Sequence, residues 1–251
     1  MSSVEKPTHI LLMTAAITPK DSPNLVRTDP VARLKDYERA LDFYLNFIDR
    51  PLHSVIFVEN SDSDVTSLRN MVEARNLTKR VEFLCNYGLH RYSEQGRGYG
   101  ELKLLDYAMT QSQQSATSTQ GAIIWKITGR YVVKNLPSII ARAPKRFDAY
   151  VDMKNRPLRW MDMRLMAWTA VGYDRIFRGV ADDLGATVHE TLLREYMPKR
   201  AGDALLTQRF RHEPKIDGIR GWDNRNYSKG FNLLKFYVRS VSRVIAPWYW
   251  I

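Results

Sequence analysis

The first half of the chain alternates between two hydrophobic periods. Thr8–Thr14 is almost continuously apolar, as expected of a strand buried on both faces. A small-residue turn follows, Ala15-Ala16-Ile17-Thr18-Pro19. Over Asp29–Ile48, Leu34, Tyr37, Leu41, Tyr44, Leu45 and Ile48 recur at helical spacing, and Pro30 suits a first turn. Pro51 breaks this pattern. Ser54–Val58 predicts a second strand ending in the polar cluster Glu59-Asn60-Ser61-Asp62. Asp64–Arg75 predicts a second helix with Leu68, Met71 and Val72 inward, and Val81–Cys85 a third strand. Gly96-Arg97-Gly98-Tyr99-Gly100 reads as a turn opening an amphipathic helix over Glu101–Thr110. A polar, solvated connection over Gln111–Gln120 leads to a fourth strand, Ile123–Ile127, which ends in Thr128-Gly129-Arg130. Strands separated by helices long enough for crossovers predict a parallel α/β sheet.

The alternation changes after Arg130. Phe147–Val151 and Trp160–Thr169 read as strands joined through the turn Asn155-Arg156-Pro157. A helix is expected over Thr187–Tyr196, and Pro198–Trp222 is charged and irregular. Phe231, Leu234, Tyr237, Val238, Val241 and Ile245 then form one helical stripe, with Lys235, Arg239 and Arg243 on another. Trp248-Tyr249-Trp250-Ile251 closes the sequence. Basic, aromatic and amphipathic together argue for a helix lying on an anionic membrane surface, with a terminal helix docked on the sheet or a dimer contact as the alternatives. Three regions result: 1–135, an α/β half that binds an anionic ligand; 136–228, a mixed half of the same domain; and 229–251, the basic-aromatic segment.

The 251 residues carry a formal charge of +11, which attracts polyanions. No nucleic-acid-binding signature accompanies it, so a nucleic-acid partner is not expected. The one cysteine, Cys85, lies in an apolar run and reads as a buried structural thiol. No signal peptide is read in the polar N-terminus, and no apolar run reaches about 18 residues, so a cytosolic location is expected. Nucleophile-elbow, zinc-protease and phosphate-loop motifs are absent, and Gly96, Gly98 and Gly100 do not have dinucleotide-fingerprint spacing. Histidines 9, 53, 90, 189 and 212 show no paired metal spacing and read as structural.

A helix opening at Gly96–Lys103 exposes backbone N–H groups to an anion. Thr128-Gly129-Arg130 offers a hydroxyl, a close backbone and a cation at the carboxyl edge of a sheet, where ligands of open α/β folds sit. The two turns are expected to face one phosphorylated ligand.

The order of these features resembles GT-A glycosyltransferases, a Rossmann-related fold with a mostly parallel sheet flanked by helices. The closer resemblance is to small bacterial enzymes of O-antigen and capsule synthesis. It rests on Thr14–Pro19, Glu59–Ser61, Gly96–Glu101 and Lys126–Tyr131 and covers about residues 8–135. The resemblance implies transfer of a sugar, with UDP the commonest carrier, from a nucleotide-diphosphate donor to a lipid-linked glycan at the cytoplasmic face of the inner membrane. By it, Thr14, Ala15, Ala16, Glu59 and Asp62 would hold the nucleoside. Arg97, Gly98, Tyr99 and Lys103 would lie by the ribose or diphosphate, with Lys126, Thr128, Gly129 and Arg130 beside them. Most such enzymes place Asp-x-Asp, carrying manganese or magnesium, where this chain has Thr128-Gly129-Arg130. Metal dependence is left open, and Arg130 or Lys126 is expected to supply the positive charge. Glu190 is the first choice for the base that deprotonates the acceptor, with Asp182 and Asp183 as alternatives. Asp152 and Asp162 are held for acceptor or sugar contacts. The alternative function is a non-catalytic nucleotide-sugar or glycan-binding protein on the same scaffold. The oligomeric state is not legible.

Overall fold

The computed structural model describes residues 7–19, 25–86, 96–117 and 121–251. His90 and the end of the polar connection at Ser118–Gln120 lie outside them. The first half runs β1 (His9–Ala15), α1 (Pro30–Leu45), β2 (Ser54–Glu59), α2 (Thr66–Ala74), β3 (Val81–Cys85), α3 (Arg97–Gln111), α4 (Gln113–Thr117) and β4 (Ile123–Thr128). Then come β5 (Val132–Val133), α5 (Leu136–Ala141), β6 (Ala149–Lys154) and β7 (Trp160–Thr169). A short turn, α6 (Ala170–Gly172), continues into a wide helical turn at Tyr173–Phe177. The remainder is α7 (Val180–Leu184), α8 (Glu190–Ala201), β8 (Leu206–Thr207), β9 (Ile216–Asp217) and α9 (Gly230–Ile245).

One seven-stranded sheet crosses both halves in the order β3-β2-β1-β4-β7-β6-β8. Strands β1 to β4 are parallel, β7 is antiparallel to β4 and β6, and β8 is parallel to β6. The expected α/β sheet, mostly parallel with a mixed second half, is therefore present. Because β1 and β2 are largely apolar in both parities, helices can cover both faces. Tyr37, Leu41 and Tyr44 of α1, Leu68 and Val72 of α2, and Ile139 of α5 bury one face together with Leu11, Phe57 and Trp125. Leu102 and Leu105 of α3, Phe177, and Leu193 and Met197 of α8 bury the other with Ile10, Val58 and Trp168. Asp29 caps α1 by accepting from the N–H groups of Val31 (3.1 Å) and Ala32 (3.2 Å).

Two features of β7 position the site. Its antiparallel direction carries its first residues past the end of β4, since Ile127 pairs with Leu165. Its alternation also breaks. Tyr150 pairs with Ala167 but Asp152 with Asp162, so two steps along β6 oppose five along β7. Met161 and Met163 thereby share a face with Met166 and Trp168, while Leu165 and Ala167 take the opposite face. Such a bulge re-aims side chains locally.

Several sequence expectations shift. Helix α3 starts at Arg97, so Gly98 and Gly100 lie inside its first turn; Gly96, at φ 90°, is the residue outside it. The polar connection folds into α4 because Glu82 accepts from Ser112 Oγ (2.6 Å) and the N–H groups of Gln113 (2.9 Å) and Gln114 (3.2 Å). Helix α8 begins at Glu190 and runs through Pro198 to Ala201. Cys85 is half-buried rather than buried, and free; burial pushes its pKa up.

Candidate active site

At the carboxyl edge of β4 lies a cleft of about 810 Å³. It is built from four sources: the start of α3 (Arg97, Gly98, Glu101), the β4 turn (Thr128, Arg130, Tyr131), the overhang of β7 (Trp160, Asp162, Met163, Arg164) and the start of α8 (Val188, His189, Glu190). Arg220, Trp222 and Tyr227, with Asn232, Lys235 and Arg239 of α9, close the remaining wall.

Gly98 explains how the starts of α3 and α8 meet. A Cβ there would stand 2.6 Å from the Val188 carbonyl oxygen, so only glycine lets the segment before α8 cross this turn. His189 then caps α8, its Nδ1 accepting from the Leu192 N–H (3.2 Å), and Glu190 follows at the first helical position. Gly129 has a comparable role. A Cβ there would meet the Thr14 carbonyl at 2.9 Å and the Tyr37 ring at 3.3 Å. Its own N–H donates to Thr14 O (2.9 Å).

Arg130 is buried at 7% exposure. Its Nη1 donates to Ile219 O (3.0 Å), its Nη2 to the Tyr131 hydroxyl (3.4 Å), and its guanidinium lies 5.0 Å from the Tyr131 ring. Its Nε has no partner among the described residues. Burial opposes the charge, but Tyr131, Tyr37 and Asp36 hold the pKa above the usual guanidinium value. Asp162 is buried and fully engaged: it accepts from the Arg164 N–H (2.9 Å) and Nε (2.8 Å), and pairs with its Nη2. Burial would raise the Asp162 pKa; Arg164 reverses this and holds it below the usual range. The Arg164 guanidinium lies over Tyr227 (4.7 Å), and Arg220, paired with Asp223, lies over Trp222 (4.6 Å).

The lining carries the cations Arg97, Arg130, Arg164, Arg220, Lys235 and Arg239 against the carboxylates Glu101, Asp162 and Glu190. Glu101 pairs with Lys126 and Asp162 with Arg164. Glu190 is exposed and, among the described residues, has no ion-pair or hydrogen-bond partner. Among the described residues it is the carboxylate of the cleft whose lone pairs are free.

The other sequence candidates lie outside the lining. Lys126 is fully buried within β4, and its Nζ pairs with Glu101 and the Met163 carbonyl, fastening α3 to β4 and β7. Thr14 is buried, its Oγ1 donating to Ile127 O (3.4 Å), and Ala15 is buried beside it. Ala16 donates to the Tyr37 hydroxyl (2.9 Å) and accepts from Arg33 Nε (2.8 Å). Glu59 is completely buried. It accepts from the N–H groups of Ile17 (3.0 Å), Ser61 (2.9 Å) and Ser63 (3.3 Å), tying the loops after β1 and β2 together. Asp62 is exposed in that second loop at φ 59°. Lys103 and Tyr99 of α3 both bond Asp182, at 3.1 and 3.5 Å, and Asp183 accepts from the Tyr196 hydroxyl (2.8 Å) and pairs with Arg200. These six residues clamp α3, α7 and α8 to one another. Asp152 belongs to a buried four-charge cluster. Arg243 Nη2 reaches it at 2.7 Å and Lys154 Nζ at 2.6 Å, while Glu213 Oε2 accepts from Lys154 (3.0 Å) and Arg243 Nε (2.9 Å). Burial opposes the Asp152 charge; Lys154 and Arg243 reverse this and hold its pKa well below the usual range.

A divalent ion bridging a diphosphate needs free carboxylates after β4. Among the described residues no group of three or more His, Cys, Asp or Glu side chains forms a metal site. Gly129 has no room for a longer side chain, and Glu101 and Asp162 are engaged by cations. The residues present do not fit the metal expected of most GT-A enzymes.

No protein-family model matches the chain, and no curated protein matches it. Solved structures do. An inositol-1-phosphate CTP transferase from T. maritima aligns over 96% of this chain and 98% of its own, with TM-score 0.49 and 10% identity. The galactosyltransferase LgtC, in complex with donor and acceptor sugar analogues, covers 80% of this chain and 73% of its own, with TM-score 0.47 and 6% identity. A candidate nucleotide-diphospho-sugar transferase from Desulfovibrio desulfuricans G20 covers 80% and 78%, with TM-score 0.44 and 13% identity. These neighbours are transferases by name.

The wall formed by Arg164, Arg220, Trp222, Tyr227 and α9 is missing from the sequence-level site. Arg164 comes from the β7 bulge and Arg220, Trp222 and Tyr227 from a stretch without hydrophobic period, so no local pattern singles them out; Lys235 and Arg239 are legible as a basic helical stripe but not as a wall of the cleft. One signal was available: Arg164 stands two residues from Asp162 in an otherwise methionine-rich strand.

Proposed function

We propose that this protein is a glycosyltransferase. It moves a sugar from a nucleoside-diphosphate donor, UDP being the first carrier to test, to a lipid-linked glycan acceptor of a bacterial surface polysaccharide such as O-antigen or capsule. The observation that carries the reading is the pairing of opposites in one cleft: an unengaged carboxylate, Glu190, faces a wall of fixed cations that includes the buried Arg130.

That arrangement suits direct displacement. The acceptor hydroxyl attacks the anomeric carbon, and its proton passes to the Glu190 carboxylate. The bond from the anomeric carbon to the diphosphate oxygen breaks, and the nucleoside diphosphate departs with the electron pair. Arg130 and, at the start of α3, Arg97 line the cleft and would stabilise the growing phosphate charge. Direct displacement of this kind inverts the anomeric centre. In this reading guanidinium groups do the electrostatic work of a divalent ion.

A thermal-shift panel of nucleoside diphosphates, with and without manganese, tests the proposal. At least one diphosphate should raise Tm, and manganese should add little. No shift with any nucleoside diphosphate would overturn the reading. Donor binding without sugar release in the presence of lipid-linked acceptors would instead favour a binding protein.

A further inference from the structure

Helix α9 is amphipathic with its faces reversed. Phe231, Leu234, Val238, Val241 and Ile245 form a stripe along it, each at least 49% exposed. Its buried residues are polar, Ser242 and Arg243. A helix free to rotate in water would turn the stripe inward. Arg243 prevents this, because its guanidinium is locked into the cluster with Asp152 and Glu213. The chain beyond α9 is also pinned: the N–H groups of Asn155 and Arg156 donate to Trp250 O at 2.9 and 3.0 Å. An apolar stripe held outward by a buried ion network marks an interaction surface.

We propose that this stripe lies in the headgroup–acyl boundary of an anionic lipid bilayer, with α9 parallel to the membrane plane. Three observations select lipid. Cations flank the apolar and aromatic residues: Lys235 lies 4.8 Å from the Phe231 ring, Lys215 5.7 Å from Phe236, and Arg156 5.5 Å from Tyr249. Such a rim complements anionic headgroups. A second copy of this chain, itself at +11, would bring like-charged rims together. Trp248 is 76% exposed beside Tyr249, where indole and phenol rings favour a membrane interface. No helix among the described residues is long and apolar enough to cross a membrane, so the geometry is one of lying on it. The attachment stands on α9 and the residues beside it and does not depend on the transferase reading.

Flotation of the full chain with vesicles of equimolar phosphatidylcholine and phosphatidylglycerol tests it, against phosphatidylcholine alone. The wild type should float with the anionic vesicles and poorly with the neutral ones. The triple variant Leu234→Glu, Val238→Glu, Val241→Glu should lose at least about tenfold of that binding. Because these side chains are exposed, Tm should hold. A milder pair, Val241→Ser with Ile245→Ser, should show the same direction should the triple variant fold poorly. Arg156→Gln with Lys215→Gln should remove the preference for anionic vesicles. Failure of the wild type to float, or equal flotation of the variants, overturns the proposal. So does a dimer in light scattering that the triple variant abolishes while flotation is absent.

Discussion

At the scale of single residues, the cleft separates carboxylates that are already satisfied from the one that is not. Glu101 and Asp162 are engaged by Lys126 and Arg164, which leaves Glu190 as the base in the proposed transfer. Glu190→Gln should lower kcat by about 10²–10⁴ with little change in donor KM, read from steady-state sugar transfer. Arg130→Ala should nearly abolish transfer while circular dichroism stays unchanged; near-normal turnover would remove Arg130 from the mechanism. The roles of Gly98 and Gly129 were not legible in the sequence. Both glycines are set by carbonyls far along the chain, of Val188 and Thr14, and contact at a distance leaves no local signature. Glu59 shows the converse. Its place at the end of β2 was readable, but only the fold shows its carboxylate filled by three backbone N–H groups.

At the scale of elements, periodicity did well where an element has one buried face or two. Strands β1 to β4 and helix α1 follow from it directly; the period of α9 gave the helix but not which face is buried. It did poorly at boundaries set by tertiary contact, as at α3 and α8, whose starts are fixed by each other. That junction is testable. Gly98→Ala should push Val188 away, displace Glu190 and lower kcat/KM. Because the crowded atom is backbone, Tm should also fall, by differential scanning fluorimetry. The cluster joining β6 to α9 gives a second test. The folded pKa of Asp152 is depressed, so its stabilisation is complete above the unfolded carboxylate value of about 3.9 and is lost as pH falls through the folded value. Wild-type Tm should therefore be flat near neutrality and decline in acid. Asp152→Asn should cost roughly 3–5 kcal/mol at neutral pH, since it leaves a buried cation underpaired, and should flatten the acid slope.

At the scale of the whole molecule, one sheet carries the site at its carboxyl edge while the charge excess gathers on the later half. The sequence made the sheet and the basic stripe visible. It could not show that the polar stripe of α9 both walls the cleft and anchors the helix, because that depends on which way the helix is turned.

The reversed orientation of α9 also bears on reach. Asn232, Lys235 and Arg239 line the cleft from the same helix that carries the exposed apolar stripe. A helix is about 10 Å across, so a bilayer seated on α9 would hold the reacting hydroxyl close to the lipid phosphates. Under the proposed function, a glycosyltransferase held this way would measure height above the membrane and extend short saccharides near their lipid carrier in preference to long ones. In vesicles, kcat/KM should fall as the acceptor glycan lengthens, and the same series in detergent micelles should flatten. Equal turnover across lengths in vesicles would argue against such a gauge.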